Sequence, residues 1–566
     1  MDLILEKRVQ PWLKKPFDTK TQEAVQDLIE HHPKELEDAF YTDLSFGTGG
    51  LRGLMGVGTN RMNSYTIRKT TQGLANYLKK QFPSQKIRVL IGFDSRIHSE
   101  DFAKEAAHVL SISDIEALLL KELRPTPYIS FACRHFKANA AIMITASHNP
   151  KEYNGYKVYW QDGAQVVAPH DMGILEEIQK IQNFTLEETA PPIPIRLIDE
   201  QLDLSYLNAI RSLQSFPEEN KTFGKTVKII YTSLHGTGIT LAPKALADWG
   251  FSSICLVSKQ VIPDGSFPTV TIPNPEYKEA LQLGIDLLRQ ENGDILLATD
   301  PDADRLGVVI NHQGKPVILT GNEIASLCVE YLCQTLKEKN KLSPYTSFIT
   351  TIVSTDLIES ICDFYKVHCS KVLTGFKYIG EKIHEWEINS QPYQFIFGAE
   401  ESYGFLLGTH SRDKDAIVSC CLLAEMVLHF KKQKKTLIDF LHELYTQYGI
   451  FRESQISIEF PPTKEGMESM QILMSSLRKN PPTHLLNKKI LSSLDYLKEG
   501  SHLPKSDVIE LTLEDKSKLI IRPSGTEPKI KVYGRVKNTC FSSLEQGIID
   551  SDQHLKELLL SLKKEV

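Results

Sequence analysis

The chain alternates short, continuously apolar segments with amphipathic helical segments along most of its 566 residues. A typical stretch has a helical period at 66–81, an apolar run at 87–94, a helical segment at 101–110 and another apolar run at 115–120. Continuous apolar runs are typical of strands buried on both faces, so the alternation predicts mixed or parallel sheets covered by helices. Ligands of such sheets bind beyond the carboxyl ends of the strands, and polar loops at those ends are therefore candidates for a site.

The fold class predicted from this pattern is α/β, with three α/β mixed-sheet domains followed by a smaller α+β C-terminal domain. The predicted parts are an N-terminal helical extension at 1–40, domain I at 41–200, domain II at 205–315, domain III at 316–450 and domain IV at 451–566. The length agrees, because about 150 residues per domain gives about four domains. The proline-rich stretch 184–200 is predicted to be a linker.

Charge and apolar content exclude several classes of partner. Lys and Arg number 65 against 71 Asp and Glu, a net charge of −6, which offers no overall attraction to nucleic acid or anionic lipid. No apolar stretch approaches the roughly 18 residues that a membrane span needs, and charges at Asp2, Glu6, Lys7 and Arg8 argue against a signal peptide. We expect a cytoplasmic protein with no nucleic-acid or membrane partner. The nine cysteines contain no C-x-x-C pair, so neither a disulfide framework nor a zinc site is indicated.

The motif TASHNP (145–150) directly follows a buried apolar run. A serine at a strand end, followed by histidine and an Asn-Pro turn, is well placed to be an exposed nucleophile, which makes Ser147 the candidate. The alternative is a turn in which Ser and Asn satisfy backbone hydrogen bonds. No G-x-S-x-G frames Ser147, so a hydrolase elbow is excluded.

The motif DPDADR (300–305) also follows an apolar run. Three carboxylates at alternate positions repel one another unless a cation joins them, and a hard divalent metal such as Mg²⁺ fits their oxygen ligands. A calcium EF-hand would need Gly and Glu at the sixth and twelfth positions, where this chain has Arg305 and Asn311. A solvated acidic turn is the alternative to a metal site, and Arg305 suits a cation that faces phosphate.

Three further loops carry polar groups that could bind a sugar phosphate. GTGGLRG (47–53) would bring backbone amides and an arginine to an anion, and GAEESYG (398–404) offers acceptors for sugar hydroxyls. TGFK (374–377), Arg412 and Lys414 could add cations near that ligand. RPSGTEP (522–528) combines a guanidinium, hydroxyls and a glycine turn in a cradle for phosphate. For each loop, an ordinary solvated turn is the alternative.

These motifs, in this order from about residue 41 to 536, resemble the α-D-phosphohexomutase superfamily of phosphoglucomutases and phosphomannomutases. The segments 46–73 and 374–380 look most like the branch with bacterial phosphoglucomutases and phosphopentomutase-like proteins. The resemblance implies four domains around a central cleft and these catalytic residues: Ser147, His148, Lys157 and Arg52. It implies these metal ligands: Ser147, Asp300, Asp302 and Asp304. It implies these substrate-binding residues: Thr48, Arg305, Thr374, Lys377, Glu400, Ser402, Lys414, Arg522, Ser524, Gly525 and Thr526.

The resemblance implies an isomerase, an intramolecular phosphotransferase acting on hexose phosphates. It would interconvert glucose 1-phosphate and glucose 6-phosphate through a phosphoserine enzyme and a hexose 1,6-bisphosphate, with mannose phosphates as further candidate substrates. The implied cofactors are Mg²⁺ and glucose 1,6-bisphosphate as activator and intermediate; the partners are small sugar phosphates, and the protein is a monomer or dimer. A phosphopentomutase, a hexose-1,6-bisphosphate synthase and a non-catalytic sugar-phosphate sensor are the alternatives.

The chain departs from the family pattern at three positions. Pro301, Ala303 and Ala399 stand where many members have glycine. Every side chain expected to bind a ligand is kept, so these departures concern the flexibility of the loops rather than their chemistry.

Overall fold

The computed structural model describes residues 3–44, 50–181, 192–461, 464–498, 503–524 and 529–565. The chain forms two compact units. The first contains Met1–Ile318, Phe376–Gln391 and Gly404–Leu428, and the second contains Leu319–Gly375, Pro392–Tyr403 and His429–Val566. Among the described residues, no helix is both long enough and apolar enough to cross a membrane.

The α-helices of the described residues are α1 (Leu3–Val9), α2 (Thr19–His31), α3 (Pro33–Phe40), α4 (Ser64–Gln81), α5 (Ser99–Ile112), α6 (Thr126–His135), α7 (His170–Gln179), α8 (Gln201–Arg211), α9 (Pro217–Phe223), α10 (Ala242–Asp248), α11 (Lys278–Gln290), α12 (Gly321–Glu338), α13 (Leu357–Tyr365), α14 (Phe376–Ile388), α15 (Ala416–Lys432), α16 (Leu437–Tyr448), α17 (Lys464–Lys479) and α18 (Leu544–Glu565). Short 3₁₀ turns lie at Gln10–Leu13, Gly224–Thr226, Thr237–Thr240 and Ser258–Gln260. Asn63, Thr320 and Thr436 begin α4, α12 and α16 with capping boxes, which satisfy otherwise unpaired N–H groups.

The strands of the described residues are β1 (Leu51–Leu54), β2 (Arg88–Phe93), β3 (Glu116–Leu120), β4 (Ala140–Ile144), β5 (Tyr153–Trp160), β6 (Arg196–Ile198), β7 (Ile229–Thr232), β8 (Ile254–Leu256), β9 (Ile295–Thr299), β10 (Leu306–His312), β11 (Lys315–Leu319), β12 (Thr346–Thr351), β13 (His368–Val372), β14 (Gln394–Glu400), β15 (Gly404–Leu407), β16 (Ile450–Glu459), β17 (His484–Leu485), β18 (Lys488–Asp495), β19 (Ile509–Leu513), β20 (Lys518–Pro523) and β21 (Lys529–Asn538).

The first unit contains two mixed sheets. In the order β1-β5-β4-β2-β3-β6, the pairs β1–β5 and β4–β5 are antiparallel, whereas β2 pairs in parallel with β3 and β4. In the order β11-β10-β9-β7-β8, β9 pairs antiparallel with β10 and parallel with β7. Both β4 and β9 are buried along their whole length, as their continuous apolar sequences predict. Their carboxyl ends carry TASHNP and DPDADR.

The helices before residue 41 pack into a core of their own at one side of this unit. Trp12 and Phe17 stack with ring centroids 4.3 Å apart, and Phe40 and Tyr65 pack around them. Arg61 donates to the Asp38 carbonyl oxygen and forms an ion pair with the Asp38 carboxylate at 2.6 Å. These contacts attach α3 to the loop that follows β1.

The second unit contains the parallel arrangement β13-β12-β14 and a separate antiparallel sheet. That second sheet has the order β16-β21-β20-β19-β18-β17. Its inner face packs on α17 and α18 through Met470, Met474, Leu555 and Leu559. The three α/β sheets followed by an antiparallel C-terminal sheet confirm the predicted fold class.

The linker prediction for 184–200 is wrong in its last part. Residues 182–191 lie outside the described residues, but Arg196–Ile198 forms β6, which pairs in parallel with β3 and extends the first sheet. The run is short and half exposed at the sheet edge, so it lacks the long apolar pattern by which the interior strands are predicted.

Candidate functional site

Ser147 lies just beyond β4 in a left-handed backbone conformation, with φ of 54°. A residue other than glycine is strained there, and such strain is typical of functional sites. Its N–H donates to Thr145 Oγ1 at 2.8 Å, and its side chain is buried. Its Oγ donates to Asp300 Oδ2 at 2.9 Å and lies 3.1 Å from His148 Nδ1. The structure thus brings together the loops that follow β4 and β9, two strands of different sheets.

A buried arginine that sequence reasoning missed holds this loop. Arg96 Nη2 donates to the Ser147 carbonyl oxygen at 2.6 Å and to that of Asn149, while Nη1 donates to the carbonyls of Pro150 at 2.9 Å and Tyr153 at 3.1 Å. Five donors in a rigid fork make arginine suited to this work. The sequence signal that could have identified Arg96 is its position three residues after β2, the strand beside β4.

The metal-ligand candidates form a tight loop after β9. Asp300 Oδ1 accepts the N–H groups of Asp304 at 3.1 Å and Arg305 at 3.0 Å, which folds the loop back on its first residue. Ala303 takes a left-handed φ of 52°, so alanine occupies the conformation that glycine would supply more easily. Oxygen atoms of Asp300, Asp302 and Asp304 lie within 4.8 Å of one another, and all three side chains are buried.

Two lysines supply positive charge to this cluster. Lys157 Nζ, on β5, lies 2.7 Å from Asp302 Oδ2 and 3.0 Å from Asp304 Oδ2, and Lys414 Nζ lies 3.3 Å from Asp304 Oδ2. Burial opposes ionisation of Asp304, but Lys157 and Lys414 outweigh it and lower the pKa of this carboxyl. Burial, together with the neighbouring carboxylates, raises the pKa of Asp300. Burial also opposes the charge on Lys157, but Asp302 and Asp304 outweigh it and raise its pKa.

The donor set fits a hard divalent cation. Asp302 Oδ1 and Asp304 Oδ1 are buried and accept no hydrogen bond from any described atom. Buried oxygens without a partner are costly, and carboxylate oxygens are the ligands that such cations prefer. The other oxygen of Asp302 is held by Thr126, whose Oγ1 donates to Oδ2 at 2.8 Å and which sequence reasoning also missed.

His148 contacts Ser147, and Arg52 and Arg305 lie near His148. Arg52 on β1 donates from Nη1 to Asn149 Oδ1 at 2.9 Å, and Arg305 forms an ion pair with Glu276. Burial, followed by the charges of Arg305 and Arg52, holds the pKa of His148 well below its usual range. The imidazole is therefore neutral near pH 7. Glu276 is another partner that no motif indicated.

Two more of the predicted cations, Lys377 and Arg412, lie beside carboxylates other than the three aspartates. Lys377 Nζ lies 3.7 Å from Asp171 Oδ2, and burial lowers its pKa. Arg412 is fully buried, forms an ion pair with Glu387 and donates to the Ser411 carbonyl oxygen at 3.1 Å. The Arg412 guanidinium is thus engaged by Glu387 and a main-chain carbonyl oxygen, contrary to the interpretation that it supplies a cation to the ligand.

In the second unit, the predicted sugar loop follows β14. Glu400 Oε1 accepts the N–H of Gly375 at 2.9 Å, which joins the loop to the segment after β13. Gly375 has a φ of 124°, a conformation that favours glycine. Thr374 Oγ1 is buried with no hydrogen-bond partner among the described atoms, and Ser402 is half-buried nearby in the chain. The loop thus presents a hydroxyl and carboxylates suited to sugar hydroxyl groups.

The predicted phosphate clamp begins at the end of β20. Arg522 lies opposite Lys531 on β21, and the N–H of Ser524 donates to the Lys529 carbonyl oxygen at 2.8 Å. Burial raises the pKa of Tyr533; Glu401 and Glu400 raise it further, whereas Arg522 opposes the shift. Arg522 and the sugar loop therefore share one neighbourhood of this unit. Thr48, Gly525 and Thr526 lie outside the described residues.

Models of three protein domains match most of the chain. Phosphoglucomutase/phosphomannomutase alpha/beta/alpha domain I matches residues 43–185, domain II matches 205–314 and domain III matches 320–448.

Curated relatives agree with these matches. The chain is 34% identical to a phosphoglucomutase of Staphylococcus haemolyticus over 530 residues, which cover 90% of this chain and 94% of the relative. It is also 34% identical to a phosphoglucomutase of Staphylococcus aureus, over 93% of this chain and 96% of the relative.

Two crystal structures share the fold. A putative phosphomannomutase from Thermus thermophilus has a TM-score of 0.67 at 20% identity, over 91% of this chain and 99% of the other. The parafusin phosphoglucomutase from Paramecium, in an open form, has a TM-score of 0.68 at 16% identity, over 92% and 96%. The chain therefore belongs to the phosphoglucomutase/phosphomannomutase family.

Proposed function

We propose that this chain is a phosphoglucomutase that interconverts glucose 1-phosphate and glucose 6-phosphate, with Ser147 as the carrier of the phosphoryl group. One observation carries the proposal: the Ser147 hydroxyl lies 2.9 Å from Asp300, beside two buried carboxylate oxygens that have no hydrogen-bond partner among the described atoms. The relatives that are 34% identical over most of the chain are phosphoglucomutases, which supports glucose as the sugar.

Mg²⁺ is the proposed metal, held by Asp300, Asp302, Asp304 and an oxygen on Ser147. When bound, it would neutralise negative charge on the phosphoryl oxygens. A fungal N-acetylphosphoglucosamine mutase with the same fold, solved with its sugar phosphate and magnesium, is a relative in which such a metal is present.

The protein side chains handle charge and protons during the transfer. The phosphoryl group passes from Ser147 Oγ to a sugar hydroxyl: a P–O bond to the sugar forms, the P–O bond to Ser147 breaks, and the proton of the sugar hydroxyl is carried to Ser147 Oγ. His148 is the proposed proton carrier because its imidazole is neutral and its Nδ1 lies 3.1 Å from Ser147 Oγ. Lys157 remains charged and, with Arg52, stabilises the phosphoryl oxygens.

The reaction needs a second transfer in the opposite sense. The sugar 1,6-bisphosphate turns over and returns its other phosphate to Ser147, so glucose 1,6-bisphosphate is also the proposed activator. Glu400, Ser402 and Thr374 are the proposed sugar contacts. The proposed phosphate and charge contacts are Thr48, Arg305, Lys377, Lys414, Arg522, Ser524, Gly525 and Thr526. Domain boundaries at 40, 200, 315 and 450, a cytoplasmic location and a monomeric or dimeric state remain predictions.

A comparison of three substrates tests the sugar. Purified protein is assayed with glucose 1-phosphate, mannose 1-phosphate and ribose 1-phosphate, each with Mg²⁺ and catalytic glucose 1,6-bisphosphate. We expect the highest kcat/KM with glucose 1-phosphate. A preference for ribose 1-phosphate would indicate a phosphopentomutase, and no turnover of any of the three would reject the proposal.

The nucleophile is tested by Ser147→Ala. Turnover is expected to vanish, because no other group receives the phosphoryl group, while the unfolding temperature stays close to that of the wild type. Ser111→Ala is the matched control, since it also removes a buried hydroxyl of the first unit, one that donates to the Ile193 carbonyl oxygen. Wild-type turnover by Ser147→Ala would refute the role of this serine.

A further inference from the structure

One carboxylate in the second unit holds cations from three different strands. Asp356 directly precedes α13, yet its side chain does not cap that helix. Its Oδ1 accepts from Lys371 Nζ at 2.8 Å and Arg535 Nη1 at 2.9 Å, and its Oδ2 lies 3.0 Å from Lys518 Nζ. Burial opposes ionisation of Asp356, but the three cations outweigh it and lower its pKa.

The C-terminal sheet presents a like-charge pair that this carboxylate neutralises. Lys518 on β20 lies directly opposite Arg535 on β21, and like charges in that position destabilise a sheet. Arg535 is 5% exposed, so its charge is not dissipated in water. Asp356 is the anion that contacts both members of the pair. The contact therefore joins the residue that precedes α13 to two strands of the C-terminal sheet.

Two of the three cations, Lys371 and Lys518, stand close in sequence to the proposed binding residues. Lys371 lies on β13, three residues before Thr374 and four before Gly375, which binds Glu400. Lys518 begins β20, and Arg522 follows four residues later on the same face of that strand. Through Lys371 and Lys518, Asp356 connects the base of the sugar loop to the strand that carries the phosphate clamp.

We infer that Asp356 is a positioning residue that sets the spacing between the sugar loop and Arg522. The inference rests on the proposed function, since it assumes that one sugar phosphate contacts both places at once. Preorganised spacing lowers the cost of ordering a bound ligand, so loss of the connection weakens substrate binding more than it slows the chemistry at Ser147.

The test is Asp356→Asn, which keeps the shape of the side chain and removes its charge. We expect the KM for glucose 1-phosphate to rise about tenfold while kcat changes less than about threefold. Glu359→Gln is the matched control: Glu359 lies in the first turn of α13, pairs with Lys371, and is 42% exposed, so its substitution should alter KM by less than about twofold. An unchanged KM in Asp356→Asn, or an equal rise in the control, would overturn the inference.

A double variant separates positioning from neutralisation of charge. Asp356→Asn combined with Lys518→Met removes one negative and one positive charge, so the unfolding temperature should recover relative to Asp356→Asn alone. The connection between the sugar loop and β20 through Asp356 stays broken, so the KM for glucose 1-phosphate should stay raised. A return of KM to the wild-type value would show that Asp356 only balances charge. If Asp356→Asn alone fails to fold, the KM of the double variant decides the question by the same criteria.

Failure of the proposed function would be recognised separately. Wild-type turnover of glucose 1-phosphate is measured first, and its absence rejects the proposed reaction. Calorimetry then compares the affinity of wild type and of Asp356→Asn for glucose 6-phosphate, which tests the positioning role without turnover. About tenfold weaker binding in the variant supports the positioning role, and equal binding overturns it.

Discussion

Arg96→Lys tests how the loop that carries Ser147 is held. The arginine donates from two nitrogen atoms to four carbonyl oxygens, and its side chain is fully buried. A lysine keeps the charge but offers its donors from a single nitrogen, so we expect about two of these hydrogen bonds to be lost. At about 1.5 kcal/mol for each bond from a charged donor, the loss is about 3 kcal/mol.

Part of that loss should appear in catalysis. Ser147 holds a strained φ of 54°, and a loop released from Arg96 will relax toward ordinary conformations. Displacement of Oγ from Asp300 by about 1 Å should lower kcat on the order of a hundredfold. The assays are steady-state kinetics with glucose 1-phosphate, phosphoserine measurement by mass spectrometry, and chemical denaturation.

Arg61→Lys is the control for stability alone. Arg61 is also a buried arginine that donates to two main-chain carbonyl oxygens, those of Asp38 and Asn60, but it belongs to the N-terminal helical contact. It should lower the free energy of unfolding and leave kcat within about twofold of the wild type. If Arg96→Lys loses stability but keeps full kcat and normal phosphorylation of Ser147, the proposed link between Arg96 and catalysis is refuted.

Two further predictions concern the metal and pH. Asp302→Asn should raise the Mg²⁺ concentration for half-maximal activity at least about tenfold, because a charged ligand is lost, whereas Asp203→Asn, at the Arg124 pair, should not. An unchanged Mg²⁺ titration would contradict the metal assignment. Burial raises the pKa of Glu453 from 4.5 to about 7. The folded state binds this proton more tightly, so its contribution to stability is present below about pH 4.5 and is lost as the pH rises through about 7. Denaturation of Glu453→Gln from pH 4 to 8 should lack that decline, and an identical pH profile would refute the shift.

Much of the fold could be predicted from the sequence because its signals are local. An apolar run such as 140–144 and the amphipathic period of 66–81 each depend on neighbouring residues, and the structure has a strand at Ala140–Ile144 and a helix at Ser64–Gln81. The short edge strand 196–198 was missed because pairing with β3, rather than its own composition, makes it a strand.

The candidate site was likewise predictable from the sequence only in part. The motifs identify Ser147 and the three aspartates, since a serine and alternating carboxylates at strand ends carry their chemistry in short segments. Ser147 and Asp300 are 153 residues apart, on loops that follow strands of two different sheets, and only the packing of these sheets within one compact unit places their side chains 2.9 Å from each other.

Only the tertiary structure identifies the residues that hold the loops of the site in place. Arg96 and Asp356 occur in no motif, because a buried cation or carboxylate has a role only through the partners that the fold brings to it. Lys414 follows the sugar loop in sequence, yet its Nζ lies 3.3 Å from Asp304. The sequence by itself determined which chemical groups the chain carries and at which strand ends. Tertiary packing determined which of them meet, because burial makes each charge depend on its nearest opposite charge.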